Sequence, residues 1–121
     1  MPLTANDVTR LQHMLDYARK ALLFCKDKTR ADIEQNEQLM LALVRLVEVI
    51  GEAASKTSQN LQNDTPSIPW ADIIGTRNRL VHAYFNVDLD VLWEIIKNDL
   101  PALVAELQKI LDEAERQQKL F

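Results

Sequence analysis

The sequence predicts an all-α protein, an up-and-down bundle of four to five helices with a long, kinked last helix. Three observations predict it. Apolar residues recur at alternating steps of three and four through most of the chain, as on one face of a helix. Only two glycines and four prolines occur in 121 residues, which leaves little material for tight turns. No stretch of useful length alternates apolar with polar residues as a half-buried strand does. At 121 residues the chain reads as a single domain, residues 1–121, long enough to bury a core.

The apolar fraction of 47% is ordinary for a soluble globular protein. The single cysteine, Cys25, rules out a disulfide within the chain and argues against a cysteine-based zinc site. The opening residues MPLTANDV lack the basic and apolar regions of a signal peptide, and no apolar run is long enough for a bilayer, so a cytoplasmic protein is expected. The net charge of −4 argues against a strongly nucleic-acid-binding surface. Its distribution is uneven. Residues 1–30 carry an excess of +3, centred on Arg19, Lys20, Lys26, Lys28 and Arg30. That excess reads either as a solvated helix end or as a patch that steers RNA phosphates.

The first helix is expected from about Thr4 to Cys25, with Thr4 as N-cap and Asp7 three residues on. Val8, Leu11, Leu15, Ala18, Leu22 and Cys25 form the narrow seam of a packed bundle helix. His13 lies off that seam and reads as a surface residue, and Cys25 reads as a small core residue. KDKTR forms the first loop, and Thr29 or Asp32 starts a short helical turn through Gln35. Asn36 caps the second long helix, Glu37 to about Thr57, whose apolar face is Met40, Leu43, Val44, Val47, Ile50 and Ala54. Glu48 and Glu52 lie at the edge of that face, four apart, where like charges repel slightly. Arg77 is the candidate cation to join them; the alternative leaves both in water with Arg45 near Glu48. Gly51 permits a close helix–helix approach.

Residues 58–68, SQNLQNDTPSI, are the most loop-like segment. A third helix is expected to start near Pro69 and to end near Phe85. Asn86 breaks it and Asp88 caps the last helix. The last helix keeps one apolar stripe through Pro101, namely Leu89, Leu92, Ile96, Leu100, Leu103, Leu107, Ile110 and Ala114. An unbroken phase favours one kinked helix over two. Trp93 flanks the stripe and is expected against a neighbour or a second subunit. The tail RQQKLF is expected to fray.

The third helix, WADIIGTRNRLVHAY, carries the chemistry. Trp70, Ile73, Ile74, Leu80, Val81 and Tyr84 form its apolar stripe, and Arg77 falls at the centre. A guanidinium there is costly unless something pairs with it. On a continuous helix, Asn78 aligns with His82 and Arg77 with Tyr84. The chain offers no Gly-rich phosphate loop, no Cys/His metal cluster and no nucleophile elbow. His82 has no companion ligands on this helix for a metal.

What remains is an arginine and a histidine. Imidazole takes and returns a proton near neutral pH, and guanidinium forks onto phosphate oxygens. RNA brings its own nucleophile, the 2′-hydroxyl beside the scissile phosphate. A base and a cation therefore suffice to cut it, without metal or cofactor. The products are a 2′,3′-cyclic phosphate and a 5′-hydroxyl end. One Arg and one His are thin equipment for two proton transfers, so a two-fold dimer that joins two motif helices is expected.

These residues, in IPWADIIGTRNRLVHAYFNVD, closely resemble the Arg-x4-His-x-Tyr signature of HEPN domains of the HepT type. VEVIGEAA, with Glu48, Gly51 and Glu52, is similar to that family's second-helix motif, and LWEIIKNDLPAL to its last helix. The resemblance extends to about residue 110. It implies an all-α homodimer joined through the motif face, and a metal-independent ribonuclease acting as a toxin. It implies Arg77 and His82 as catalytic residues and Asn78 as the supporting polar residue. It also implies an antitoxin, a small MNT-type nucleotidyltransferase that adenylylates Tyr84. Thr76 departs from the methionine expected before the arginine. Some members of the family are inactive, which leaves a second reading: a non-catalytic helical dimer that binds a nucleotidyltransferase or a nucleotide. Tyr84 then reads as a half-buried packing residue.

Overall fold

The computed structural model describes residues 3–119. Three long helices build the core: α1 (Ala5–Phe24), α3 (Glu37–Ser55) and α8 (Leu100–Lys119), with α1 packed against both of the others. The all-α class holds; a two-stranded pairing of two residues per strand is the one departure among the described residues. Leu11, Met14 and Leu15 of α1, Leu43 and Val44 of α3, and Leu92 and Leu107 are fully buried together. Met14 and Ala21 join this core although the narrow seam omitted them, because α1 is covered on two sides. Cys25 is buried, and burial pushes its thiol pKa up, as expected of an inert core cysteine. His13 is exposed.

The helix starts follow the residues that cap them. Thr4, Asn36 and Asp88 each accept a backbone N–H three residues on, from Asp7, Leu39 and Val91. Thr29 begins α2 (Arg30–Glu34) with a capping box: Asp32 accepts the Thr29 N–H, which holds its carboxyl below the ordinary range. The segment expected to be loop holds a further short helix, α4 (Gln59–Asp64), capped by Ser58. Ser58 is itself fixed from afar. Its N–H and hydroxyl donate to the buried carboxylate of Asp7 at 2.9 and 2.5 Å. Charge-assisted bonds of this kind are the strong ones, which accounts for a charged residue inside the fold.

The expected third helix is not one helix. It divides at Gly75 into α5 (Trp70–Ile74) and α6 (Thr76–Leu80), and helix ends at Leu80, not Phe85. Glycine at the junction is a poor helix former. Beyond Leu80 the chain turns back on itself: β1 (Val81–His82) pairs antiparallel with β2 (Asn86–Val87), and the Asp88 N–H donates to the Leu80 carbonyl at 2.8 Å. Val81 and Val87 are opposite in register and both pack on the core. Two β-branched residues facing one another favour this pairing over another helical turn.

The last helical run is continuous through Pro101, as the stripe predicts. It begins as α7 (Leu89–Glu94), and a widened π turn over Ile95–Asp99 joins it to α8. The Leu100 N–H bonds back to Ile95, five residues away. Proline cannot donate to the carbonyl of Lys97 and its ring crowds that oxygen, so the widened turn ahead of it relieves both problems. Trp93 is partly buried against the core with the Lys97 ammonium over its ring at 5.3 Å. The tail is helical as far as Lys119, where fraying was expected; Leu120 and Phe121 lie outside the described residues.

At Gly51, α5 comes against α3 so closely that a Cβ would stand 3.0 Å from the Ile73 carbonyl oxygen. That oxygen is backbone and cannot rotate aside. Alanine is worth about 1 kcal/mol over glycine within a helix. Gly51→Ala is nevertheless expected to lower stability by about 1–2 kcal/mol, because α5 must shift to admit the methyl. The urea unfolding midpoint of variant against wild type reads this; a higher midpoint in the variant removes the close-packing account.

Candidate active site at the α6–hairpin junction

Arg77 lies on α6, and the helix that supports it is α3. Its Nε donates to Glu48 Oε2 at 2.9 Å. Of the two carboxylates expected to share it, only Glu48 is engaged; Glu52 pairs instead with Arg45 at 3.4 Å. The Glu48 side chain is 16% exposed and that of Arg77 59% exposed. The carboxylate is thus largely desolvated and the guanidinium is not. Arg77 is not the buried centre of an apolar stripe, because α6 turns Thr76 and Leu80 inward. Only Nε is used by Glu48. Among the described residues no acceptor takes the two terminal nitrogens, which form the fork that grips phosphate.

His82 follows five residues later, across the junction of α6 and β1, with its side chain 52% exposed. It does not lie one helical turn beyond Asn78, because the helix has ended by then. Asn78 is exposed on α6, with its backbone N–H bonded to Gly75. The His82 Nε2 faces Asp88 Oδ2 at 4.0 Å. Asp88 was singled out in the sequence only as a helix cap. The signal missed was the hairpin, which sets His82 opposite Asn86 and so brings Asp88, two residues further on, diagonally within 4.0 Å of the imidazole.

Tyr84 does not align with Arg77 on a helix and is not a packing residue. It occupies the tip of the turn between β1 and β2 and is fully exposed. Tyr84 and Phe85 have φ of 59° and 58°, the left-handed region that side chains with a Cβ avoid. Two adjacent aromatic residues held there represent stored strain of the order of 1–3 kcal/mol each.

The basic excess near the N-terminus is partly spent within the fold. Arg19 donates to Gln108, and Arg30 pairs with Glu34 and with Asp90 at 2.8 Å. A cavity of about 510 Å3 lies between α3, α5 and the π turn. Its wall holds Arg79 against Asp72, Glu94, Asp99 and Glu106, and neither Arg77 nor His82. Burial raises the Asp99 pKa, with Arg79 opposing. Four carboxylates against one arginine repel phosphate, so the cavity is a poor seat for RNA. No helix among the described residues is long and apolar enough to cross a membrane.

The family model for "Ribonuclease HepT-like" matches residues 14–110. Among curated proteins, "Putative RNase MJ1380" of Methanocaldococcus jannaschii is 33% identical over 98 residues, covering 81% of this chain and 90% of its own. "Putative RNase MJ0125" of the same organism is 33% identical over 105 residues, covering 87% and 90%. "Probable ribonuclease HepT" of Thermococcus cleftensis is 33% identical over 87 residues, covering 72% and 79%. No solved structure gave a significant match.

The strain at the hairpin tip has a direct readout. Tyr84 packs on nothing, so Tyr84→Gly removes the left-handed penalty without losing contacts. It is expected to raise stability by about 1 kcal/mol. An unchanged or lowered urea midpoint shows that the turn is unstrained.

Proposed function

The chain belongs to the HepT-like ribonuclease family, and from that premise we propose that it is the endoribonuclease toxin of a toxin–antitoxin pair. One observation carries the reading: Arg77 is held at Nε by Glu48, which leaves its phosphate-gripping fork open, five residues along the chain from the exposed imidazole of His82.

In the proposed reaction the terminal nitrogens of Arg77 bind the scissile phosphate and stabilise the charge that builds on it. His82 accepts the proton of the 2′-hydroxyl, whose oxygen attacks phosphorus. The bond to the 5′-oxygen breaks, and that oxygen takes a proton as it leaves. A second His82, from the other subunit of a two-fold dimer, supplies that proton. Ile74 and Phe85, large apolar side chains that flank the Arg77–His82 segment in sequence and are both exposed, support a partner at this segment. No step calls on a metal ion, and Asn78 supports as a neighbouring hydrogen-bond donor.

Regulation acts at Tyr84. Its exposed position presents the phenol to another protein's active site. An MNT-type nucleotidyltransferase antitoxin would join the phenol oxygen to the α-phosphorus of ATP, with pyrophosphate leaving and the phenol proton lost. The added AMP places a phosphodiester charge and a purine two residues from His82, where RNA would lie. This replaces alignment along a helix as the physical basis for the block. The setting of such a pair is the cytoplasm.

Cleavage of RNA in EDTA, wild type against His82→Ala and Arg77→Ala, tests the reading. Each variant is expected to lose about 100-fold or more of activity, and wild-type products to carry 2′,3′-cyclic phosphate ends. Preparations holding only mixed His82→Ala/wild-type dimers are expected to be impaired; full activity there removes the shared site. Co-expression with the transferase should add one AMP to wild type and none to Tyr84→Phe by intact mass. If neither wild type nor variant cuts RNA or slows growth, the chain is a binding module for the transferase or a nucleotide.

A further inference from the structure

Across the hairpin His82 is opposite Asn86, and Asp88 lies two residues further along the returning chain, diagonal to His82. Asp88 is also fixed more firmly than a cap alone requires. Its N–H donates to Leu80 at 2.8 Å, which closes the hairpin onto the end of α6. Its Oδ1 accepts the Val91 N–H at 3.1 Å, which starts α7. Those bonds leave Oδ2 over, and Oδ2 is the atom that faces His82 Nε2 at 4.0 Å. Among the described residues the imidazole makes no hydrogen bond, and this carboxylate is the acidic group within 4.0 Å of it.

We propose that Asp88 is the positioning residue of His82: it holds the Nε2–H edge of the ring and leaves Nδ1 as the nitrogen that takes the 2′-hydroxyl proton. The inference rests on the nuclease reading for its catalytic half. The physical logic is that of any base oriented by a third group. A carboxylate at one ring nitrogen fixes the tautomer and steadies the imidazolium that forms when the other accepts a proton. The gap of 4.0 Å is longer than a hydrogen bond, and a small rotation about the side-chain torsions closes it. His82 is 52% and Asp88 37% exposed, so water screens the pair. The expected contribution is accordingly about tenfold in kcat, not the several thousandfold of a buried triad.

Asp88→Asn separates this role from capping. Asparagine caps a helix as well as aspartate does, so α7 keeps its start. Its amide NH2 then occupies the place of Oδ2 and donates towards Nε2, which favours the opposite tautomer. The chain has two histidines, so the ring nitrogens of His82 are read by NMR with exposed His13 as internal reference. Wild type is expected in the Nε2–H form and Asp88→Asn shifted towards Nδ1–H, with His13 unmoved. For RNA cleavage, kcat is expected to fall about tenfold with KM within about twofold. Asp88→Ser, which also caps but carries no reaching carboxylate, should show the same kcat loss and guards against a misfolded first variant. Identical His82 ring signals in wild type and Asp88→Asn overturn the proposal, as does an unchanged kcat in both variants. If wild type cuts no RNA, the nuclease reading falls, while the ring spectra still decide whether Asp88 holds His82.

Discussion

The carboxylate of Glu48 is the constraint on which the site depends. It sits on α3 with its side chain 16% exposed, and a carboxylate partly withdrawn from water favours a paired counter-charge. Arg77 supplies the counter-charge through Nε. The demand is met by one nitrogen of a five-donor group, so this pairing leaves the terminal nitrogens free for the phosphate contact proposed for them. The pair reaches across because α3 and the α5–α6 segment lie unusually close, and they lie close because Gly51 has no side chain. A small residue and a half-buried acid one helical turn apart thus set where a cation on another element must stand.

The hairpin is the second constraint and works by local strain rather than burial. Val81 and Val87 anchor it to the core, and Asp88 ties its return strand to the end of α6. With both ends fixed, three residues must reverse the chain, and Tyr84 and Phe85 take the left-handed conformation to do so. An aromatic side chain held off the surface in this way is offered to other molecules, which fits a residue whose proposed role is to be modified. The same reversal brings Asp88 to 4.0 Å from His82, so one turn geometry arranges both the phenol proposed to be modified and the proposed partner of His82.

The outcome at 69–87 shows how far periodicity carries a reading. Trp70, Ile73, Leu80 and Val81 do face inward or half inward, as the pattern requires. The pattern cannot register that Gly75 divides the helix or that Val81 is held by Val87 in a strand, because an apolar residue at the right spacing suits either state. The helical alignments of Asn78 with His82 and of Arg77 with Tyr84 therefore fail, while the motif residues themselves remain at one junction. The choice between Glu48 and Glu52 was equally out of reach. The two differ by one turn, and only the path of α6 over α3 decides which meets Arg77.

The sequence by itself determined the all-α class, the caps at Thr4, Asn36 and Asp88, most of the apolar stripe of each long helix and the family. These depend on interactions within a few residues or on apolar spacing along a single element, both of which are written in linear order. Tertiary structure decided the Asp7–Ser58 bond, the Arg77–Glu48 pair, the close approach at Gly51 and the hairpin that turns Tyr84 outward and Asp88 towards His82. Three of these join residues far apart in the chain, and the fourth trades helical hydrogen bonds for a strand pairing that the core beneath it stabilises. Their energies depend on where separate elements come to rest, and no local spacing encodes that.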